Sequence, residues 1–202
     1  MTAVKKLLDK ITGIEHGFNH IIDAGEIILK DSVLKPMELA QTFIEPQQPY
    51  QIRMLGTYLF GALAANNSEA LHILEETISN DKNWRVQEML AKAFDNYCKI
   101  KGYENSLPKI KFWLAHNNTN VKRAVTEGLR IWTGRDYFKE NPAEAVSLIN
   151  SNKHTDSIYL AKSIGNSLRD IHKKHKEIVD AEVSNWDLSE KGLAFIHKLI
   201  YK

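Results

Sequence analysis

Trp84 and Glu88 stand four residues apart, so on a helix an indole and a carboxylate project side by side from one face. The competing reading of Trp84 is a half-buried packing residue. The same face is drawn again 35 residues later, and a third time 39 residues after that. With Val86, Val121 and Leu160 set equal, one column reads Glu88, Arg123, Lys162. The next turn reads Lys92, Glu127, Asn166. The turn after that reads Asp95, Arg130, Arg169, followed by Asp170. Positions spaced i, i+4, i+7 share one side of a helix, so each set forms a polar stripe. Lys and Arg on such a stripe neutralise phosphates, and each contact adds to the salt dependence of binding. The competing reading is a solvated face with internal pairs such as Glu127–Arg123.

Charge is distributed to match. Residues 83–175 hold 16 Lys/Arg against 9 Asp/Glu, a net of +7. Residues 1–82 hold 7 against 11, and residues 176–202 hold 4 against 5. The overall +2 therefore hides a basic middle between acidic ends. A basic surface on stacked helices suits a polyanion.

The elements that must carry these side chains are helical almost throughout. Apolar residues recur at i, i+3, i+4 and i+7, and no sustained period-2 run of β-branched residues occurs. Helices are predicted near 2–12, 16–30, 34–45, 50–65, 68–79, 83–100, 105–116, 119–133, 141–150, 156–174, 176–186 and 188–200. Residues 118–120 (Asn-Thr-Asn) and 155–157 (Thr-Asp-Ser) precede helices and are placed to cap them, and Pro142 opens another. Pro46 and Pro49 bracket a loop.

Three helices superimpose by sequence. Leu90 aligns with Val125 and Ile164, and Phe94 with Leu129 and Leu168. A weaker fourth copy starts at Ile52, with Phe60 under Phe94. Offsets of this size with two helices per unit predict a HEAT-type solenoid. Its second helices would line a concave wall, and small residues at Ala91, Ala93, Gly128, Ser163, Gly165 and Ser167 would permit close approach there. The expected fold is all-α, a right-handed α-α superhelix of HEAT-like repeats with a concave basic groove. It is read as one domain over 1–202, with N-terminal helices in 1–48, core repeats in 50–175 and capping helices in 176–202.

Several chemistries lack their signatures. The hydrophobic share is 43%, ordinary for a soluble domain, and no stretch approaches about 20 uninterrupted apolar residues. The N-terminal residues lack a signal-peptide apolar core, so a cytoplasmic location and no membrane partner are expected. Cys98, the single cysteine, sits on an apolar face and reads as a small buried hydrophobe. His16 and His20 share a helix face, but the HExxH pattern is absent, so no metal and no cofactor are expected. Residues 172–175 (His-Lys-Lys-His) read as a basic helix terminus. No phosphate-cradling Gly loop, GxSxG elbow or CxxC pair occurs. Trp132 shares a column with Tyr97 and Ile171, which face the core, and Trp113 and Trp186 read as packing residues.

The strings NWRVQEMLAKAFDNYC, VKRAVTEGLRIWTGRDYFKENP and SIYLAKSIGNSLRDIHKKH resemble the HEAT-like-repeat DNA alkylation repair family, the AlkC/AlkD-type alkylpurine DNA glycosylases. The resemblance extends more loosely to KPMELAQTFIEPQQPYQIRMLG upstream. The RAVxEGLRxW and SxGNxLxDI patterns are its most specific parts. It implies excision of purines alkylated on a ring nitrogen, such as 3-methyladenine or 7-methylguanine. It also implies that duplex DNA lies in the groove without a base turned into a deep pocket. Double-stranded DNA with alkylated bases is the implied partner, with no obligate protein partner.

By the same resemblance the catalytic carboxylate falls on Glu88 and a second acidic position on Asp170. Groove aromatics fall on Trp84 and Trp132, and a DNA-contacting arginine on Arg123. Lys122, Arg130, Lys162, Asn166 and Arg169 become further DNA contacts. The chain departs from the pattern at Lys162, near where AlkD-type members place another aromatic. Two alternatives stay open: a DNA binder without excision, and a protein–protein scaffold, the common task of HEAT arrays.

Overall fold

The computed structural model describes residues 3–202. Among them thirteen α-helices and one short 3-10 turn are found, and no strand. The chain divides into two compact units, Met1–Ile100 and Lys101–Lys202. That division falls inside the stretch read as core repeats. No helix of the described residues is long and apolar enough to cross a membrane.

In the first unit the helices are α1 (Ala3–Thr12), α2 (Asn19–Lys30), α3 (Pro36–Phe43), α4 (Tyr50–Leu63), α5 (Ser68–Glu76) and α6 (Trp84–Lys101). Thr2, placed in the first helix by the sequence reading, lies outside the described residues. Helix α4 is the hub and packs on α1, α2, α3 and α5. Its Met54, Leu55, Leu59 and Phe60 are sealed in the core. Gly61 of α4 meets Ala93 of α6 so closely that a Cβ would sit 2.6 Å from the Ala93 Cα. Asn96 Nδ2 donates to the Gly61 carbonyl at 3.1 Å across the same contact. Two small residues therefore let these helices approach backbone to backbone.

The second unit holds α7 (Leu107–Leu114), α8 (Thr119–Trp132), α9 (Asp136–Glu140), α10 (Pro142–Asn150), α11 (Ile158–His172), α12 (Lys176–Val183) and α13 (Lys191–Ile200). Helix α11 is its hub, packing on α8, α10, α12 and α13. Gly165 faces α13, where a Cβ would lie 2.6 Å from the Leu199 Cβ.

The aligned apolar columns are core in both units. Val86, Leu90, Phe94, Val121, Val125, Leu129, Leu160, Ile164 and Leu168 are all 1% exposed or less. Each such side chain contributes about 1.5–3 kcal/mol on burial, so these columns dominate the packing. Caps follow the local chemistry. The Asn118 side chain accepts from the Asn120 N–H at the start of α8, and Ser157 Oγ accepts from the Leu160 N–H at the start of α11. Cys98, Trp113 and Trp186 are buried as packing residues.

One helix has no counterpart in the sequence reading. Helix α9 spans five residues between Gly134 and Pro142, too few for an apolar period to register. Asp136 opens it at φ +30°, a backbone value that side chains other than glycine rarely adopt.

Candidate functional site

In the first unit the candidate site begins with α6, and the turn before that helix fixes where it starts. Arg53 of α4 clamps Asp81 with two hydrogen bonds, Nε to Oδ2 at 2.6 Å and Nη2 to Oδ1 at 3.2 Å. The third guanidinium nitrogen donates to the Gln48 carbonyl at 2.5 Å. Asp81 Oδ1 also accepts from the Asn83 N–H, and Asn83 Oδ1 accepts from the Arg85 N–H, at 2.8 and 2.9 Å. From inside α6, buried Gln87 donates to the Ile78 and Asp81 carbonyls at 2.9 and 2.7 Å. A fork-shaped guanidinium on a carboxylate holds direction as well as distance. The first turn of α6 is thereby fixed in position and orientation.

That turn presents Trp84, which is 54% exposed. The other three tryptophans are buried. Glu88 follows one turn later and is half-buried, with Val86 and Leu90 holding the opposite side of the helix in the core. The Arg85 guanidinium carbon lies 4.4 Å from the Trp84 ring centroid and 5.1 Å from that of Tyr50. Arg85 Nη2 sits 3.3 Å from His16 Nδ1, and Tyr50 Oη donates to the Glu15 carbonyl at 2.8 Å. His16 is thus engaged with Arg85. Burial holds the His20 imidazole below its usual pKa, although Asp23 pulls it upward.

The second unit arranges its candidates differently. Arg130 at the end of α8 reaches Asp170 of α11, Nε to Oδ2 at 2.6 Å, and Glu127 of its own helix at 3.2 Å. Lys173 Nζ lies 2.9 Å and Arg169 Nε 3.7 Å from Asp170 Oδ1. Ser163 Oγ donates to Glu127 Oε1 at 2.5 Å, and Ser167 Oγ to the Thr126 carbonyl at 3.2 Å. These contacts tie α8 to α11. Burial pushes the Asp170 carboxyl upward, but the Lys173 hydrogen bond and the charges of Arg130, Lys173 and Arg169 outweigh it. Its pKa ends below the ordinary carboxylate value.

Asp170, Arg130 and Arg169 are therefore brought together, but with each other as partners. Of the remaining expected contacts, Lys162 is exposed, and Lys122 and Asn166 are half-buried. Two expectations need correction. Trp132 is not a groove aromatic: it is fully buried. Its ring lies over Gly128 of its own helix and packs 5.7 Å from Phe138 and 5.2 Å from Tyr103. The space at Gly128 admits that indole rather than a ligand. Arg123 is not an open phosphate hand either. It is 3% exposed, and its guanidinium lies 4.7 Å from the Tyr159 ring, which the first turn of α11 lays over it.

Several positioning residues escaped the sequence reading. Arg53, Asp81 and Gln87 fix α6 through contacts that no periodicity encodes. Tyr159 and Lys173 lay outside the aligned columns. Arg85 carried a legible signal, since it is the cation next to the exposed tryptophan.

Comparison with known proteins places this geometry in a family. Residues 28–191 match the model of the DNA alkylation repair enzyme family. The fold is similar to the crystal structure of AlkD2 from Streptococcus mutans, with 43% identity and a TM-score of 0.90, covering 98% of this chain and 96% of that one. It is also similar to the Pseudomonas fluorescens alkylpurine DNA glycosylase AlkC bound to DNA containing an abasic site analog. There the TM-score is 0.60 at 16% identity, covering 98% of this chain and 60% of that one, a likeness of fold. The uncharacterized protein YhaZ of Bacillus subtilis (strain 168) is 26% identical over 182 residues, 75% of this chain. The chain spans about half the length of that curated relative, 51%. With more than half of its residues matched by the family model, the chain belongs to the DNA alkylation repair enzyme family, and its fold is the HEAT-like helical repeat.

Proposed function

We propose that this protein binds duplex DNA carrying N-alkylated purines, of the 3-methyladenine and 7-methylguanine type, and releases the damaged base by hydrolysing its N-glycosidic bond without turning it into a deep pocket. The observation that carries this reading is the half-buried Glu88 one turn from the exposed Trp84, held at a pinned helix start in a chain of this family.

The chemistry asks for little beyond that pair. Alkylation of a ring nitrogen makes the purine cationic and a good leaving group, so no strong general acid is required. What remains is to stabilise an oxocarbenium-like sugar and to position a water. A carboxylate near the anomeric carbon serves both needs. The indole face adds about 0.5–2 kcal/mol of attraction for a cationic base or sugar. Lys122, Lys162, Asn166 and Arg169 would contact the DNA backbone, which carries no base sequence and suits a search for lesions anywhere.

A second reading is binding without excision, and one observation favours it. Asp170, the second expected catalytic carboxylate, is committed to three cations. Incubation of the purified protein with N-methylated duplex separates the two. Free methylpurine and abasic sites in equal amount support excision, whereas a salt-sensitive gel shift with neither product supports binding alone.

A further inference from the structure

We propose that residues 13–18, which join α1 to α2, form a strap that holds two cations of α6 in the free protein, and that a DNA backbone competes with the strap for them. Arg85 and Lys92 are the two cations. Naming DNA as the competitor rests on the function proposed above. The strap and its contacts rest on geometry within the first unit.

The strap touches α6 at two points. His16 Nδ1 lies 3.3 Å from Arg85 Nη2, and Lys92 Nζ lies 5.2 Å from the centroid of the Phe18 ring. Arg85, Glu88 and Lys92 stand at i, i+3 and i+7, so they share one side of α6. Along the helix axis Glu88 comes between the two contacts. The strap is therefore docked along the side of α6 that carries the candidate catalytic carboxylate.

Its stem is fixed from α4. Gln51 Nε2 donates to the Thr12 and Ile14 carbonyls, each at 3.3 Å, and Tyr50 Oη donates to the Glu15 carbonyl at 2.8 Å. Gly17 then turns the chain at φ +93°, where an added Cβ would meet nothing within 4 Å. Backbone conformation, not space, calls for glycine there. None of residues 13–18 is buried. An exposed segment held by a few polar contacts opens at low cost.

Phosphates make charge-assisted contacts with Arg and Lys that an imidazole nitrogen and a phenyl ring do not match. A single small anion at one cation leaves the strap held at the other. A duplex backbone can engage both, so it displaces the strap where a lone anion does not. By linkage, a change that loosens the strap tightens DNA binding.

The test measures binding of the full chain to a fluorescently labelled, unmodified duplex by anisotropy. His16→Ala and Phe18→Ala should each bind about threefold tighter than the parent, and the double variant about tenfold tighter. With Arg85 and Lys92 both replaced by Gln, binding weakens and the gain from the strap substitutions disappears. The His16 side chain is 76% exposed, so His16→Ala keeps the fold and carries the test if Phe18→Ala unfolds. Unchanged or weaker binding by His16→Ala overturns the proposal. A gain that survives in the Arg85→Gln, Lys92→Gln background overturns it too, since the strap then acts as a steric cover and not as a rival for the cations. Binding by neither parent nor variants overturns it as well. Failure of base release from methylated duplex, with the strap gains intact, removes excision and leaves the strap.

Discussion

The two units carry their expected carboxylates at different columns of the repeat and hold them in different chemical states. On α6, Glu88 is half-buried beside an indole that stays open to solvent. On α11, Asp170 is drawn into a cluster with Arg130, Arg169 and Lys173, and its pKa falls below the ordinary carboxylate value. A carboxylate surrounded by cations is a structural tie, stable and electrostatically spent. Glu88 instead stands one turn from an exposed indole. The difference lies in what neighbouring helices supply. Helix α8 offers Arg130 to α11, whereas Arg53 of α4 braces the start of α6 through Asp81.

If that contrast is right, the two carboxylates answer differently to the same change. Glu88→Gln should reduce base release from methylated duplex by about 100-fold or more, with DNA affinity kept within twofold. Asp170→Asn should leave the rate within about threefold while lowering stability by about 1 kcal/mol, read by urea melts. Comparable loss of activity in both variants breaks the distinction.

Next in size is the brace of α6. Arg53→Ala removes one partner of a mostly buried, doubly hydrogen-bonded pair, with side chains 17% and 12% exposed. It should cost about 3 kcal/mol in denaturant melts. A loss under about 1 kcal/mol would show that the start of α6 is held by packing alone.

A smaller effect sharpens the contrast between exposed and committed cations. Lys162→Ala should lower the salt slope of DNA binding by about one unit, while Arg123→Ala should leave the slope nearly unchanged, because its guanidinium lies under Tyr159. Slopes that move the other way would place Arg123 on the phosphates.

The smallest effect concerns acid. At Asp180, hydrogen bonds from Lys176 and Tyr201 pull the carboxyl down to about 2, from an ordinary 3.8. A folded pKa below the unfolded one means stability that is fully present above about 4 and lost as pH falls toward about 2. Asp180→Asn should therefore lower the melting temperature at neutral pH by a small amount and flatten the acid limb in that window, so that variant and parent converge toward pH 2. An acid limb identical to the parent's would show that the Asp180 contacts do not persist in solution.

Much of the fold was legible because burial and helical period leave a direct trace. The columns through Val86, Val121 and Leu160 predicted core positions, and the Asn118 and Ser157 caps sat where local hydrogen-bonding chemistry puts them. Trp132 shows how phase and resemblance can disagree. Its column with Tyr97 and Ile171 pointed inward, the family pattern pointed to the groove, and the phase prevailed because Gly128 makes room for the ring. The Asp170 cluster was not legible. Arg130 and Asp170 are forty residues apart, and their meeting depends on how α8 packs on α11, which a one-dimensional pattern does not encode. The same holds for Tyr159 over Arg123, where a ring from one repeat covers a cation of another. The short α9 was invisible for a simpler reason: five residues are fewer than two turns.

The most direct measurement is chromatography of bases freed from N-methylated duplex DNA by the parent protein and by Glu88→Gln. The account predicts free methylpurine from the parent and essentially none from the variant, with both still bound to DNA. Equal release by the two, or none by either, contradicts the role given to Glu88.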